Sequence, residues 1–212
     1  MAGLKATLVW VFMSLFLSLA SAQKGSELLK ASELRAAKQK YGPLAERRLL
    51  AWQTLVDENR GRPERLLLTQ VNNFFREVTF SSDQTVWNKN DYWATPAEFL
   101  ARDAGDAEDF VIAKYFTLLS LGVAEEKLYF TYASSSRLRR AHMVLTYFRT
   151  PRSQPLILDS VTDRILKAGK RPDLKPIYSF NGQDSRDGQT VKSGMMDEWN
   201  RMLERMRQGR IN

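Results

Sequence analysis

Apolar positions along this chain recur first at three- and four-residue steps, then alternate, then return to helical spacing. That order predicts an α+β fold with a helical N-terminal part and a central helix packed on an antiparallel sheet. Leu28, Ala31, Leu34 and Tyr41 mark a first helix that Gly42-Pro43 stops. Ala45, Leu49, Trp52 and Val56 mark a second, broken by Gly61-Arg62-Pro63. Leu67, Val71, Phe74 and Val78 give a third, followed by a polar, turn-rich stretch from Ser81 to Asp91. Thr95 caps a short helix that has Pro96 at its first position and ends near Asp103. Asp106 caps the next helix, whose apolar side carries Ile112, Tyr115, Phe116 and Leu119 before Gly122 ends it; this helix is expected to be buried centrally. Three β segments follow: Leu128 to Tyr132, His142 to Phe148, and Leu156 to Asp159, with Ile177 to Phe180 as a further strand. Alternation places His142 on one defined face. Asn181 to Gly194 reads as a polar loop, and Trp199, Met202 or Leu203 and Met206 as a closing helix.

The first residues change the picture of where the protein works. Lys5, the apolar stretch from Leu8 to Leu19 and the small-x-small pattern Ala20-Ser21-Ala22 have the form of a signal peptide, residues 1–22, cleaved before Gln23. The stretch is shorter than the roughly 20 apolar residues that a spanning helix needs, which argues against a membrane anchor. Residues 23–212 then form one exported domain, expected in the periplasm of a Gram-negative bacterium and not membrane-spanning. With 212 residues and 43% hydrophobic content, one well-cored domain fits better than two. An exported protein can form disulfides, yet this one has no cysteine, so core packing, together with any bound ion, must hold it together. The formal charge of +8 becomes +7 without Lys5. Such an excess suits an acidic partner or anionic lipid, although the basic residues are scattered as on an ordinary solvated face, and export argues against nucleic acid as the target.

Three positions carry chemistry. Gly105-Asp106-Ala107-Glu108-Asp109 opens the central helix, where the positive end of the helix dipole would lower the pKa of a thiol. Ala107 occupies the place where such a nucleophile would sit. His142, the only histidine, and Asp159 after Leu156-Ile157-Leu158 are candidates for a base and a carboxylate to go with it. Taken alone, a strand histidine is usually structural and a strand-end aspartate usually a turn former. Asp106, Glu108 and Asp109 also concentrate three carboxylates at a helix start. That suits a hard cation such as calcium, beside the simpler reading of helix capping.

The segments Tyr92 to Glu98, Gly105 to Tyr115, Ala141 to Leu145 and Pro155 to Asp159, in this order, resemble the bacterial transglutaminase-like cysteine peptidases of the LapG type. The resemblance extends through Arg171-Pro172-Asp173-Leu174 and Tyr178-Ser179-Phe180-Asn181. It implies a papain-like or transglutaminase-like fold and a Cys-His-Asp endopeptidase in which Ala107 stands at the nucleophile position, His142 is the base and Asp159 the orienting carboxylate. The backbone amide of residue 107 is the natural first oxyanion donor, and a side-chain donor such as the Trp93 indole, or an Asn or Gln upstream, is the candidate for the second. The resemblance also implies calcium dependence through the acids at 106, 108 and 109. It further implies cleavage of the N-terminal region of a large surface adhesin, with control of biofilm release by the periplasmic domain of an inner-membrane cyclic di-GMP receptor. Alanine has no nucleophile, so this copy is expected to be inactive. An inactivating Cys-to-Ala replacement and a natural, catalytically silent peptide- or receptor-binding homologue both account for it, and the intact partners favour the first. A metal-dependent hydrolase using Asp106, Glu108, Asp109 and His142 is the remaining alternative.

Overall fold

In the computed structural model, residues 28–182 and 193–212 are described; the expected signal peptide and most of the Asn181 to Gly194 loop lie outside them. The helical part comes first, as α1 (Ala31–Tyr41), α2 (Pro43–Asn59) and α3 (Glu64–Phe75). Gly42, at φ +82°, makes the turn between the first two, a conformation that a side chain would resist. Ala45, Leu49, Trp52 and Val56 are all buried, so the face read from spacing is the face that packs. In α1 the buried positions are Glu33 and Ala37, while Ala31 is exposed. In α3, Leu68 and Phe75 join Leu67 and Val71 inside.

The Ser81 to Asp91 stretch is not only loop. β1 (Thr79–Phe80) pairs in parallel with β2 (Ala104–Gly105), and α4 (Asp83–Trp87) lies between them in sequence. Two-residue strands carry too few side chains to show a period of two, which is why spacing did not reveal them. α5 (Pro96–Arg102) has the expected Thr95 cap, reinforced by a reciprocal bond from the Thr95 amide to Glu98. Asp103 closes it in the left-handed conformation.

α6 (Ala107–Ser120) is the central helix, buried on nearly all sides from Phe110 to Leu118. It packs against α3, α5 and the sheet. The antiparallel sheet has the order β6-β5-β4-β3-β7, built from β3 (Leu128–Ser135), β4 (Arg140–Tyr147), β5 (Leu156–Leu158), β6 (Leu166–Lys167) and β7 (Leu174–Phe180). The short β6 and the early part of β7 were not expected. Leu128, Phe130, Met143, Leu145 and Leu158 belong to the common core, and Tyr115 of α6 lies 4.7 Å from Phe130 between ring centres. α7 (Ser193–Gln208) closes the molecule with Trp199 and Met202 buried. Its Arg205 reaches the Trp93 carbonyl and the buried Glu98, and the Asn212 amide donates to Glu98 at 3.1 Å. Among the described residues no helix is long and apolar enough to cross a membrane.

Candidate functional site

The register of β4 and β5 decides where the two polar residues meet. Leu145 pairs with Leu158, so continuing one step sets Asp159 beside Val144, on the face of the sheet that also carries His142. Such diagonal neighbours are within reach of long side chains. The His142 Nε2 and Asp159 Oδ1 atoms are 2.6 Å apart, with side chains only 1% and 0% exposed. An ionised carboxylate this deep requires compensation, and Asp159 has it on every side. Its second oxygen pairs with Arg171 Nη1 at 2.7 Å, and the Val161 amide donates to Oδ1 at 3.1 Å. Burial alone would raise its pKa, but the hydrogen bond and charge of His142, the Val161 amide and Arg171 outweigh burial and hold it at about 2. Arg171 is itself clamped by Asp173 through two bonds of 2.9 and 2.8 Å. With Nε2 facing the carboxylate, Nδ1 is the ring nitrogen left to exchange a proton with a reacting group.

Helix α6 brings position 107 to the same region. Lys114, buried, donates from Nζ to the Asp159 carbonyl at 2.7 Å and to Asn72 Oδ1 at 2.9 Å. Burial drives the Lys114 pKa down to about 8, partly offset by Asp159 and Asp163. Positions seven apart lie on one stripe of a helix, so Ala107 sits on the stripe that Lys114 ties to Asp159. The beginnings of α6 and β4 converge on Phe80. Phe80 pairs through its backbone with Gly105, and its ring stacks on Phe110 at 6.1 Å and lies under the Arg140 guanidinium at 5.7 Å. Ala107 is buried at the first position of α6. Trp93 is buried in the core, with its carbonyl held by Arg205.

Beside this lies a carboxylate cluster. Oxygens of Asp83, Asp106 and Asp109 all come within 4.8 Å of one another. The sequence pointed to Asp106, Glu108 and Asp109; in space Asp83 from α4 takes the third place, while Glu108 hydrogen-bonds Asp106 from outside the trio. Asp106 and Asp109 do cap the helix, through the Glu108 amide at 3.3 Å and the Asp106 amide at 3.4 Å. Capping does not account for all three. Asp83 uses Oδ2 for the Tyr92 amide at 2.7 Å and leaves Oδ1 buried with no partner. Burial, then repulsion by Asp106, raises the Asp83 pKa to about 7; burial and Glu108 raise Asp106 to about 8, and burial and Asp106 push Asp109 well up. An unpartnered buried oxygen among mutually repelling carboxylates fits a hard cation held by oxygen ligands.

Arg171, Lys114 and Asp83 are the functional neighbours that spacing did not single out. Arg171 stood within a segment that resembled the family, but its ion pair joins residues that only sheet topology brings together.

The family of bacterial transglutaminase-like cysteine proteinases matches residues 55–187. The Legionella pneumophila LapG structure is 40% identical, with a TM-score of 0.70, and the match covers 82% of this chain and 96% of that one. Calcium-bound LapG of the same organism is 40% identical with a TM-score of 0.69, covering 82% of this chain and 98% of that one. An EGTA-treated form matches at 39% identity and a TM-score of 0.70, with coverages of 82% and 96%. No curated protein sequence matches. The chain therefore belongs to the bacterial transglutaminase-like cysteine proteinases and is of the LapG type.

Proposed function

We propose that this chain is built as a calcium-dependent cysteine endopeptidase of the periplasm, with His142 as general base, Asp159 as the carboxylate that orients it, and position 107 as a nucleophile position that alanine leaves silent. The observation that carries the reading is the buried 2.6 Å contact between His142 and Asp159, on a strand whose start meets the first turns of α6. With a thiol at 107, His142 would take its proton and the sulfur would attack the scissile carbonyl carbon. The amine would leave with that proton, and water would then hydrolyse the thioester. The amide of residue 107 is the first oxyanion donor and Trp93 the proposed second. A methyl group has no lone pair to donate, so the sequence of steps stops before its first bond.

Calcium is assigned to the acids at the start of α6, Asp106 and Asp109, with Asp83 beside them and Glu108 behind. When bound, it would supply the positive charge that offsets these carboxylates and fixes the position of the helix start. The natural substrate in this reading is the N-terminal region of a large surface adhesin, whose release the periplasmic domain of an inner-membrane cyclic di-GMP receptor controls by sequestering the protease. Residues 1–22 serve as the export signal, so the protein recovered from the periplasm should begin at Gln23 by N-terminal sequencing. The silent-homologue reading draws its support from Ala107 alone.

The decisive substitution is Ala107→Cys. Folded Ala107→Cys protein should cut an adhesin N-terminal peptide when calcium is present, and adding His142→Ala should abolish the cutting. No cutting with or without calcium would overturn the peptidase reading in favour of the silent homologue. Cutting that ignores EGTA would keep the peptidase and remove the metal.

A further inference from the structure

At the opposite end of β4 from His142 a cavity of about 820 Å³ opens between α3, the end of β4 and the β5–β6 pair. Tyr147 is five residues along the strand from His142, about 17 Å away at ordinary strand rise. The cavity is thus separate from the catalytic region. Its volume lies within the roughly 300–1,000 Å³ of ordinary ligand sites. Leu68, Leu156 and Ile165 provide apolar surface continuous with the core. Arg65, Arg149 and Lys167 stand around it, exposed.

The charge balance of this cavity is one-sided. Its only lining acid, Glu64, is already engaged: Lys127 pairs with it at 2.6 Å, and the Tyr147 hydroxyl bonds its other oxygen. The hydrogen bonds of Lys127 and Tyr147 hold the Glu64 pKa down, so it stays a satisfied carboxylate rather than a partner for the three cations. Among the described residues Arg65, Arg149 and Lys167 make no ion pair, so no carboxylate of the fold occupies the cations that ring this cavity. Unpaired arginines over an apolar floor favour a ligand that carries carboxylates and a bulky apolar side chain together. The net charge of the whole chain adds long-range attraction of the same sign.

We propose that this cavity is a docking site for an acidic protein segment with a large apolar residue seated on Leu68, Leu156 and Ile165 and carboxylates paired to Arg65, Arg149 and Lys167. It is a second recognition surface, distinct from the His142–Asp159 end of the sheet. A partner held there leaves the His142 end of the sheet open. Tethering a substrate through this site would add effective concentration at the catalytic end without any contact to the scissile bond.

The test uses the purified protein and a fluorescein-labelled peptide, Glu-Asp-Phe-Leu-Asp-Glu, followed by fluorescence anisotropy. Binding should weaken at least tenfold in the triple variant Arg65→Ser, Arg149→Ser, Lys167→Ser, and at least tenfold when the peptide acids are replaced by Gln and Asn. Leu156→Asp should weaken it independently, and circular dichroism melting should show the exposed triple variant folded as the parent. A decrease with rising salt should accompany the charge effect. Equal affinity in parent and triple variant would overturn the proposal, as would equal affinity for the uncharged peptide. Displacement by inorganic phosphate alone, or preferential binding to phosphatidylglycerol vesicles, would likewise overturn it by assigning the cations to a phosphate or lipid surface. The result is independent of position 107, so it stands apart from the outcome of the Ala107→Cys experiment.

Discussion

Asp159 is the residue whose environment most constrains the site. Its pKa, held at about 2 against an ordinary 3.8, makes it a source of stability with a definite pH window. A depressed carboxylate stabilises the fold fully above its unfolded pKa and loses that contribution as pH falls through the folded value. The shift corresponds to about 2 kcal/mol. Urea unfolding should therefore show stability falling between pH 4 and pH 2. In Asp159→Asn that portion of the slope should vanish, with the variant less stable by about 2 kcal/mol at pH 7 and nearly equal to the parent at pH 2. An unchanged slope in the variant would remove Asp159 as the titrating group. His142 and Asp159 themselves were legible, because a single histidine and an acid after a three-residue apolar run leave few alternatives. What spacing could not give was the second half of the support. Arg171 lies twelve residues beyond Asp159, and the 2.7 Å pair exists only because the chain turns back through β6 to bring the guanidinium beside it. Substituting Arg171→Met should leave Asp159 with His142 and the Val161 amide but no cation on its second oxygen, raising its pKa and shifting the same acid limb to higher pH.

At the scale of elements, legibility followed length. α2 and α6 run for 17 and 14 residues, long enough for several turns to agree on a face, and their centres fell where spacing put them. β1, β2 and β6 have two residues each and no period to read. Their consequence is large nonetheless, since the β1–β2 pair fixes the entrance to α6. Gly105 sits in β2 with no room for a side chain: a Cβ there would lie 2.7 Å from the Phe99 ring and collide with the Asp109 carboxylate. The glycine is needed for close approach rather than for an unusual φ. Gly105→Ala should cost about 1–3 kcal/mol by overpacking. On the calcium reading, because Asp109 is one of the displaced groups, the variant should lose metal binding measured by calorimetry more than its fall in melting temperature alone would imply. Retained parental stability would mean that α5 and α6 can separate, against the close packing seen here.

For the whole molecule the open question is how a protein without cysteine keeps four carboxylates, Asp83, Asp106, Glu108 and Asp109, at the start of its most buried helix. Caps and backbone amides satisfy several of these oxygens, but amides do not cancel net charge, and Arg205 and Arg171 are committed elsewhere: Arg205 to Glu98, Arg171 to Asp159 and Asp173. Two explanations make opposite predictions for Asp83→Asn, which keeps an oxygen for the Tyr92 amide and removes the charge. If the cluster is only a set of caps, the variant melts at or below the parent with or without calcium, and calcium shifts neither. If it is a cation site, the metal-free variant melts above the metal-free parent, because like charges within 4.8 Å have been relieved. Calcium should then raise the parent by about 2.7 kcal/mol at a hundredfold excess over its dissociation constant, roughly 5–10 °C for a chain of this size, and raise the variant much less. The curves of parent and variant should cross between EGTA and calcium. That crossing is the signature of a fold that stores electrostatic strain at the start of α6 and releases it on binding, and parallel curves would return the cluster to capping.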